Sequence, residues 1–483
     1  MKHAGLRSIA SNSIKLAGAR LLNPLVRLIY VLILARFLGP EIYGLLAYGQ
    51  SWYNAFLPLT TLGVAAVLSR EVGRNRERGT EVVARALALR IVVSVFVAGI
   101  CAVTAWFVES DSSTRSLLLI FSLALIGRAL SVTAENIFVA YERSQFAFYQ
   151  EAIFRPLEVG AGLIILLLGG GMFEIAAMHT IVWWLQAARA HFLVRSRIVS
   201  VAPDWNLRSM GNLILEGLPI GLGVIMAAWI FQGPLVLYRQ TGAADADLGT
   251  FALAYQGLVL ALVIPISIGA VALPVLSRAV ERADGKDTLF VSVMARLAFL
   301  SGATAGLAGM VVGPDLIPFV FGRKFEMTGQ LLGPMLWLLI PATIATIGGQ
   351  VVAARKKYFQ YFITAAAGAA ALTVCLPFAV SAFAVYGILV AGGIGLTVWS
   401  ISLLFAVSSA KTFRWSVVLF RPALVALAAL ALYLGLKPES PWLALTAALG
   451  LLACGGWFVV LTKEERVSLM AFVSHNLPAS WRR

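Results

Sequence analysis

The sequence is poor in charged residues, and this shortage excludes a soluble globular protein. Charged residues make up 13 % of the 483 positions and hydrophobic residues make up 60 %. Soluble domains contain about 25 % charged and about 45–50 % apolar residues. The composition therefore indicates a protein that lies in a lipid bilayer, with membrane lipids around it.

Cysteine, histidine and enzyme motifs are also scarce. The three cysteines, Cys101, Cys375 and Cys454, lie in apolar runs without CxxC or metal-type spacing, so we predict buried packing residues rather than disulfides or a metal site. No GxSxG motif and no Walker motif (GxxxxGKS or GxxxxGKT) occurs, and these would carry acyl transfer or nucleotide hydrolysis. We therefore expect no catalytic site, no metal and no cofactor.

Long apolar runs are abundant instead. A helix needs roughly 20 apolar residues to cross about 30 Å of hydrocarbon. The division of one long run, 358–407, depends on its length and on Pro377 and Ser381. With that division, we predict an all-α polytopic membrane protein with fourteen transmembrane spans: 16–38, 42–68, 82–107, 116–140, 150–169, 172–194, 210–237, 248–274, 288–312, 330–353, 358–379, 381–407, 416–436 and 441–461.

Positive charge exceeds negative charge, with 38 Lys and Arg against 23 Asp and Glu. If both termini are cytoplasmic, 28 of the 38 lie in or beside inside segments and 6 lie in outside segments. This is the bias of the positive-inside rule, and it predicts a multi-pass protein with both termini in the cytoplasm. A nucleic-acid partner is not expected, because such a binder gathers its basic residues on soluble surface.

An internal repeat relates the two halves of the chain. The segment Leu68–Arg74 recurs as Leu276–Arg282, and Gly44–Tyr48 is echoed by Gly249–Leu253. Both pairs match one predicted span with the sixth span after it, which predicts two six-helix lobes related by a pseudo-two-fold axis, a frequent transporter plan. The predicted divisions are an N-lobe at 1–194, a cytoplasmic linker at 195–209, a C-lobe at 210–410, two extra helices at 411–462 and a cytoplasmic tail at 463–483.

Short motifs at the ends of these spans resemble those of a known family. Ala35–Gly44 after the first span, Leu68–Glu71 after the second, Phe321–Phe325 before the tenth and the basic turn Arg355–Lys357 resemble the polysaccharide transporters of the multidrug/oligosaccharidyl-lipid/polysaccharide exporter superfamily. Its best-known members are the O-antigen and exopolysaccharide repeat-unit flippases. The resemblance covers essentially the whole chain.

The resemblance implies a function, a substrate and partners. The expected function is a flippase that moves an undecaprenyl-pyrophosphate-linked oligosaccharide from the cytoplasmic to the periplasmic leaflet of the bacterial inner membrane by alternating access. A polysaccharide polymerase and a chain-length regulator are the implied protein partners. Three alternatives remain open: a multidrug extruder or a lipid II flippase of the same superfamily, and a membrane polysaccharide polymerase or ligase.

Four of the 38 basic residues are assigned to neither side of the membrane, and all four are arginines within the predicted spans, where a charge costs about 2.5–3.5 kcal/mol and needs a wet cavity or a partner. Guanidinium groups bind phosphate as bidentate forks. We therefore predict that Arg27 and Arg128 bind pyrophosphate in a cavity, with Arg20 and Arg90 as first contacts. As alternatives, Arg20 and Arg90 could reach the membrane interface, and Arg128 could form a structural pair with Glu135 on the same helix face.

Other polar residues within the spans complete the candidate site. Asn23 and Tyr30 share one face of the first span with Arg20 and Arg27. Gln50 and Asn54 in the second span and Gln350 in the tenth belong to uncharged stripes, which suit either sugar hydroxyls or hydrogen bonds between helices. Glu135 and Glu216 are candidates for carrying a coupling ion, although Glu216 could instead pair with a basic residue. Glu158, three residues after Arg155, is interpreted as a pair at the membrane interface, and His179 as a packing residue.

Overall fold

A computed structural model of the chain describes residues 2–282, 286–408, 414–463 and 465–466, without the side chains of 2–25, 76–78, 270–275, 277–279, 281, 282 and 286. Within these ranges the chain is helical and contains no strand. The first eight helices are α1 (Lys2–Thr61), α2 (Val64–Arg74), α3 (Arg76–Val108), α4 (Ser112–Ala140), α5 (Ser144–Leu167), α6 (Met172–Leu193), α7 (Leu207–Gln240) and α8 (Asp245–Arg282). The remaining seven are α9 (Lys286–Phe321), α10 (Glu326–Trp337), α11 (Leu339–Ala354), α12 (Tyr358–Phe383), α13 (Val385–Val407), α14 (Arg421–Leu436) and α15 (Pro441–Gly455).

The helices confirm the predicted all-α polytopic membrane fold. Ten described helices are long and apolar enough to cross a membrane, or eleven when α10 and α11, which meet at a 44° bend, count as one span. Helix α1 contains the first predicted span and most of the second, separated where Gly39 leaves the helical conformation with φ 75°. The rest of the second span, 42–68, lies beyond a break at Leu62 and Gly63, in α2. Helices α5 and α6 match two further spans but carry charged or polar residues in their middle.

Two limits of the predicted spans, which are approximate to several residues, differ slightly from the helices. The run 358–407 does not break at Pro377 or Ser381, because α12 continues through both and ends at Phe383. The break is at Ala384, whose φ of 48° is not helical. Helix α7 begins three residues before the predicted position 210, where the Asn206 side chain accepts a hydrogen bond from the Ser209 N–H at 3.1 Å. Such an N-cap satisfies a backbone donor that the first helical turn leaves free.

The cysteine prediction is right in one case only. Cys101 is buried, Cys375 is half-buried and Cys454 is exposed. Cys454 lies on α15, which packs with α14 against α9 in an apolar cluster that includes Leu307, Tyr433 and Ala448. A residue on the far side of such an outer helix faces away from the bundle, and an apolar sequence run does not reveal which side that is.

The two halves of the molecule meet through glycines at both ends of the second segment of α1. At one end, a Cβ atom on Gly44 would lie 2.5 Å from the Gly249 nitrogen of α8. These are the two glycines that the internal repeat makes equivalent. At the other end, Gly63 has φ +72°, and a Cβ there would lie 2.0 Å from the Gly217 oxygen of α7. Only glycine allows the backbones to approach this closely.

Candidate functional site

A cavity of about 450 Å³ lies between α1, α4, α5, α6 and α8. Its wall combines apolar residues with an unusual number of charged and polar side chains for the interior of a membrane protein. These are Arg27, Tyr30, Gln50, Tyr53, Asn54, Arg128, Glu151, Arg155, Glu158, His179, Trp183 and Gln256.

Helical spacing explains why these side chains face one space. On α5, Glu151, Arg155 and Glu158 follow one another at intervals of four and three residues, and on α6 His179 and Trp183 are four residues apart. Residues at such intervals occupy one helix face. Each helix therefore contributes one polar stripe, and the packing of the helices brings the stripes together.

Arg128 is paired with a carboxylate and also lines the cavity. Its Nη1 donates a hydrogen bond to Glu135 Oε1 at 3.0 Å, which confirms the predicted pair. The Arg128 side chain also lines the cavity, and its guanidinium carbon lies 4.2 Å from the centre of the Trp183 ring. An aromatic face stabilises a cation at this distance, so Arg128 is fixed by a carboxylate and by an indole.

Arg155 is held by more partners than any other basic residue of the cavity wall in the described structure. It forms ion pairs with Glu158 and with Glu151, the latter at 3.3 Å, and its Nη2 donates to Gln186 Oε1 at 2.8 Å. Its guanidinium carbon lies 4.3 Å from the Trp183 ring centre. The pairing of Arg155 with Glu158 is confirmed, and the pair lies inside the bundle, where Glu158 is 4 % exposed.

His179 is part of this network and does more than pack. Its Nδ1 lies 2.6 Å from Glu158 Oε1, and its Nε2 lies 2.8 Å from Trp183 Nε1 and 3.1 Å from the Tyr53 hydroxyl. An indole N–H can only donate a hydrogen bond. Nε2 is therefore the acceptor, and the neutral ring carries its proton on Nδ1 and donates it to Glu158.

Arg27 differs from the other arginines of the cavity. It lies on the first segment of α1, is exposed and lines the cavity. Among the described residues, no carboxylate forms an ion pair with it, whereas Arg128 and Arg155 each have at least one. Arg27 is therefore the guanidinium most readily available to an incoming anion.

The structure brings together some of the residues predicted for the site. Tyr30, Gln50 and Asn54 line the cavity beside Arg27 and Arg128. Arg20 and Asn23 belong to the part of α1 whose side chains lie outside the described residues. The sequence interpretation missed Glu151 and Gln256 and gave Arg155, Glu158 and His179 other roles. A regular stripe of three charged residues within one predicted span was the signal that could have identified α5 as part of the cavity wall.

Other predicted residues lie elsewhere. Arg90 is 4 % exposed and donates to Thr60 Oγ1 at 2.9 Å in a separate small pocket, so it does not line the cavity. Glu216 lies in the third turn of α7 and pairs with Arg70; both side chains are about half exposed. No three His, Cys, Asp or Glu residues form a possible metal site in the part of the chain that the structure describes.

Gln350 lines a second cavity, in the other half of the molecule. This cavity has a volume of about 550 Å³ and lies between α7, α8, α11, α12 and α13. Its lining is aromatic and aliphatic, with few polar side chains. Val259 of α8 lines both cavities, so this helix separates the charged space from the aromatic one.

The fold is similar to that of several solved transporters. A lipid II flippase, MurJ, in an inward closed conformation has a TM-score of 0.68 and 13 % identity, and the match covers 92 % of this chain and 98 % of MurJ. An inward-facing multidrug resistance transporter of the MATE family has a TM-score of 0.63 and 14 % identity, covering 81 % of this chain and 97 % of that one. A superfamily transporter from Pyrococcus furiosus has a TM-score of 0.60 and 11 % identity, covering 82 % and 94 %.

The chain therefore shares the all-helical fold of these membrane transporters. No curated protein sequence matches the chain. Residues 9–280, more than half of the chain, match the model of the family described as polysaccharide biosynthesis protein. The chain therefore belongs to the polysaccharide biosynthesis protein family, which confirms the family to which the motifs pointed.

Proposed function

We propose that the protein is a flippase for undecaprenyl-pyrophosphate-linked oligosaccharide repeat units. It moves them from the cytoplasmic to the periplasmic leaflet of the bacterial inner membrane, for O-antigen, exopolysaccharide or capsule synthesis. The observation that carries the proposal is the charged cavity, where Arg27, which has no ion pair with any described residue, faces a space also lined by Arg128 and Arg155. Family membership supports a role in polysaccharide synthesis.

The arginines suit a pyrophosphate group. Arg27 offers its whole guanidinium fork, and an oxyanion accepts two parallel hydrogen bonds from such a fork. Arg128 and Arg155 are shared with Glu135, Glu151 and Glu158. A pyrophosphate that enters the cavity must compete with these carboxylates, so its binding is reversible, as a transporter requires.

The proposed topology places both termini and the short segment between α6 and α7 in the cytoplasm. In that segment, Asp204 Oδ2 lies 3.4 Å from Arg85 Nε of α3. The predicted N-lobe, 1–194, and the predicted C-lobe, 210–410, are the proposed moving units. The glycine contacts at Gly44 and Gly63 lie near opposite ends of the cavity-lining segment of α1, where alternating access needs a contact that can separate.

A polymerase and a chain-length regulator are the proposed partners on the periplasmic side.

The membrane potential is the proposed driving force. It contributes about 2.3 kcal/mol per charge per 100 mV, so export of an anion from a negative interior is downhill, and so is the inward return of an empty cationic cavity. Loss of the potential at a fixed pH gradient should then slow flipping in proteoliposomes. Antiport through Glu135 or Glu216 predicts instead that Glu→Gln variants bind substrate but lose their dependence on the ion gradient.

Arg27→Ala tests the proposal in cells. We expect loss of surface polysaccharide at an unchanged protein level, with partial recovery in Arg27→Lys, which keeps the charge but loses the fork. Arg74→Ala is the matched control, because this arginine lies on α2 with a 71 % exposed side chain. Normal polysaccharide in Arg27→Ala would remove Arg27 from the site.

Two related functions make different predictions. A lipid II flippase would be needed for peptidoglycan, so depletion of the protein would stop cell-wall synthesis rather than only surface polysaccharide. A multidrug extruder for cationic drugs needs acidic groups free in its cavity, whereas Glu135, Glu151 and Glu158 are all paired with arginine. The match to the lipid II flippase also covers more of this chain than the match to the multidrug transporter.

A further inference from the structure

The second cavity is lined by aromatic and uncharged side chains, which suit a neutral ring compound. None of its lining side chains is acidic or basic. Its volume of about 550 Å³ is within the range of about 300–1,000 Å³ that small-molecule sites occupy. The aromatic side chains of the wall are Phe231, Tyr255, Tyr358, Tyr361 and Trp399.

We propose that this aromatic cavity binds the sugar rings of the lipid-linked substrate while the charged cavity binds its pyrophosphate. The inference rests on the proposed function and adds to it a second subsite, in the other half of the molecule. It assigns the recognition of the sugar to the aromatic cavity and the recognition of the anion to the arginines.

The aromatic wall has a fixed geometry. The ring centres of Phe231 and Trp399 are 6.2 Å apart in an edge-to-face arrangement, and those of Tyr361 and Trp399 are 6.3 Å apart. Glycines make room for the Tyr361 ring: a Cβ atom on Gly223 would lie 2.2 Å from its Cδ1, and one on Gly349 would lie 2.8 Å from its Cε2. The ring is thus held between two helices and presents a rigid apolar surface.

Two buried polar atoms of the cavity residues have no hydrogen-bond partner in the described structure. They are the indole Nε1 of Trp399, a residue 2 % exposed, and the side-chain Oε1 of Gln350. Unpaired buried polar groups are rare because they cost free energy, and each one calls for an explanation. Here one atom is a donor and the other an acceptor, which is the pair of functions that a sugar hydroxyl can satisfy.

A hydrocarbon tail fits this lining less well than a sugar. A polyprenyl chain would leave Trp399 Nε1 and Gln350 Oε1 without partners. A sugar ring has apolar C–H faces that can lie against aromatic rings, and its hydroxyls both donate and accept. The neighbouring polar side chains of Gln232 and Thr346 add further hydrogen-bonding capacity to the same wall.

The two cavities are placed for one substrate. Tyr255 and Gln256 are consecutive residues of α8, and the first lines the aromatic cavity while the second lines the charged one. Val259, about one turn further, lines both. The two cavities therefore adjoin along α8. We propose that a sugar joined directly to a pyrophosphate has the sugar in the aromatic cavity and the pyrophosphate in the charged cavity.

The test compares two lipids on the full-length protein in nanodiscs. One is undecaprenyl pyrophosphate without sugar, and the other is the undecaprenyl-pyrophosphate-sugar fraction extracted from membranes of the host cells. The variants are Gln350→Leu and Trp399→Phe, each of which removes one unpaired polar atom and leaves an apolar side chain in its place. Trp229→Phe is the matched control, because the Trp229 Nε1 already donates to Thr373 Oγ1 at 3.0 Å and the residue does not line the cavity.

We expect the wild type to bind both lipids and each variant to bind the sugar-bearing lipid about tenfold more weakly, as the loss of one good hydrogen bond predicts. Affinity for the sugar-free lipid should not change. The melting temperature without ligand should not fall in Gln350→Leu, which separates a binding defect from a folding defect. Equal weakening of both lipids, or no weakening, would overturn the sugar subsite. If the wild type bound neither lipid, the proposed function itself would fail.

Discussion

Trp183 Nε1 lies 2.8 Å from His179 Nε2, and this contact fixes the protonation state of the histidine. The same indole ring lies beneath the guanidinium groups of Arg128 and Arg155. Trp183 therefore contacts both the two arginines of the cavity wall and the ring nitrogen Nε2 of His179, and its hydrogen bond leaves the histidine proton on Nδ1. Five side chains from α4, α5 and α6 form this unit when Glu158, the acceptor of the Nδ1 proton, is included.

Replacement of the histidine should destabilise the protein. His179→Phe leaves the Trp183 N–H without its acceptor and Glu158 Oε1 without its donor, and each buried unpaired group costs about 1–3 kcal/mol. We expect a lower melting temperature in detergent and a loss of transport. His191→Phe is the control, because that ring on the same helix makes one hydrogen bond, to the Ala187 carbonyl at 2.9 Å. An equal loss of stability in both variants would contradict a special role for His179.

Removal of the carboxylate that holds Arg128 should strengthen anion binding. Glu135→Gln keeps the size of the side chain but gives Arg128 no negative partner, so the guanidinium becomes more available to pyrophosphate. Isothermal titration with inorganic pyrophosphate should show tighter binding, by about tenfold if about 1.4 kcal/mol of pairing is removed. Arg128→Gln should weaken binding. Unchanged affinity in both variants would place Arg128 in a structural role only.

A methyl group at the glycine contact should separate the two halves at one end. A Cβ on Gly249 would lie 1.9 Å from the Pro40 carbonyl oxygen, so Gly249→Ala requires the backbones of α1 and α8 to move apart. Spin labels at the exposed positions Glu41 and Ala244 should report a longer distance in the variant. Gly435→Ala is the control, because nothing lies within 4 Å of a Cβ there. An unchanged distance would mean that the contact is not rigid.

The pairing of Glu465 with Arg296 should make stability depend on pH at the acid end. Hydrogen bonds from Arg296 lower the pKa of Glu465 to about 2, against about 4.3 in an unfolded chain. Because the folded pKa is depressed, the stabilisation is present above about pH 4.3 and is lost as the pH falls towards about 2. Glu465→Gln should lower the melting temperature at pH 6, and the difference from the wild type should shrink below pH 4. A difference independent of pH would contradict this pairing, and Glu439→Gln, at an exposed position, is the control.

The sequence predicts the positions of the helices better than it predicts the side-chain contacts between them. Apolar runs locate the helices because length and composition decide membrane insertion. The Arg128–Glu135 pair could also be predicted, since both residues lie on one helix. By contrast, Tyr53 and His179 are 126 residues apart in the chain, and a single histidine in an apolar helix gives no sign of such a partner. Arg90 shows the converse: its sequence pattern resembles that of Arg128, but its neighbour Thr60 buries it away from the cavity.

The charged stripe of α5 has a consequence for the assembly of the protein in the membrane. Glu151, Arg155 and Glu158 would each cost about 2.5–3.5 kcal/mol at the centre of a bilayer, and the ion pairs of Arg155 with both glutamates offset part of that cost within α5. Their partners include Gln186 and His179 of α6. We infer that α5 and α6 enter the lipid as a hairpin, with the hydrogen bonds of the cavity wall already made. The two helices would then enter the bilayer together, each supplying polar partners to the other.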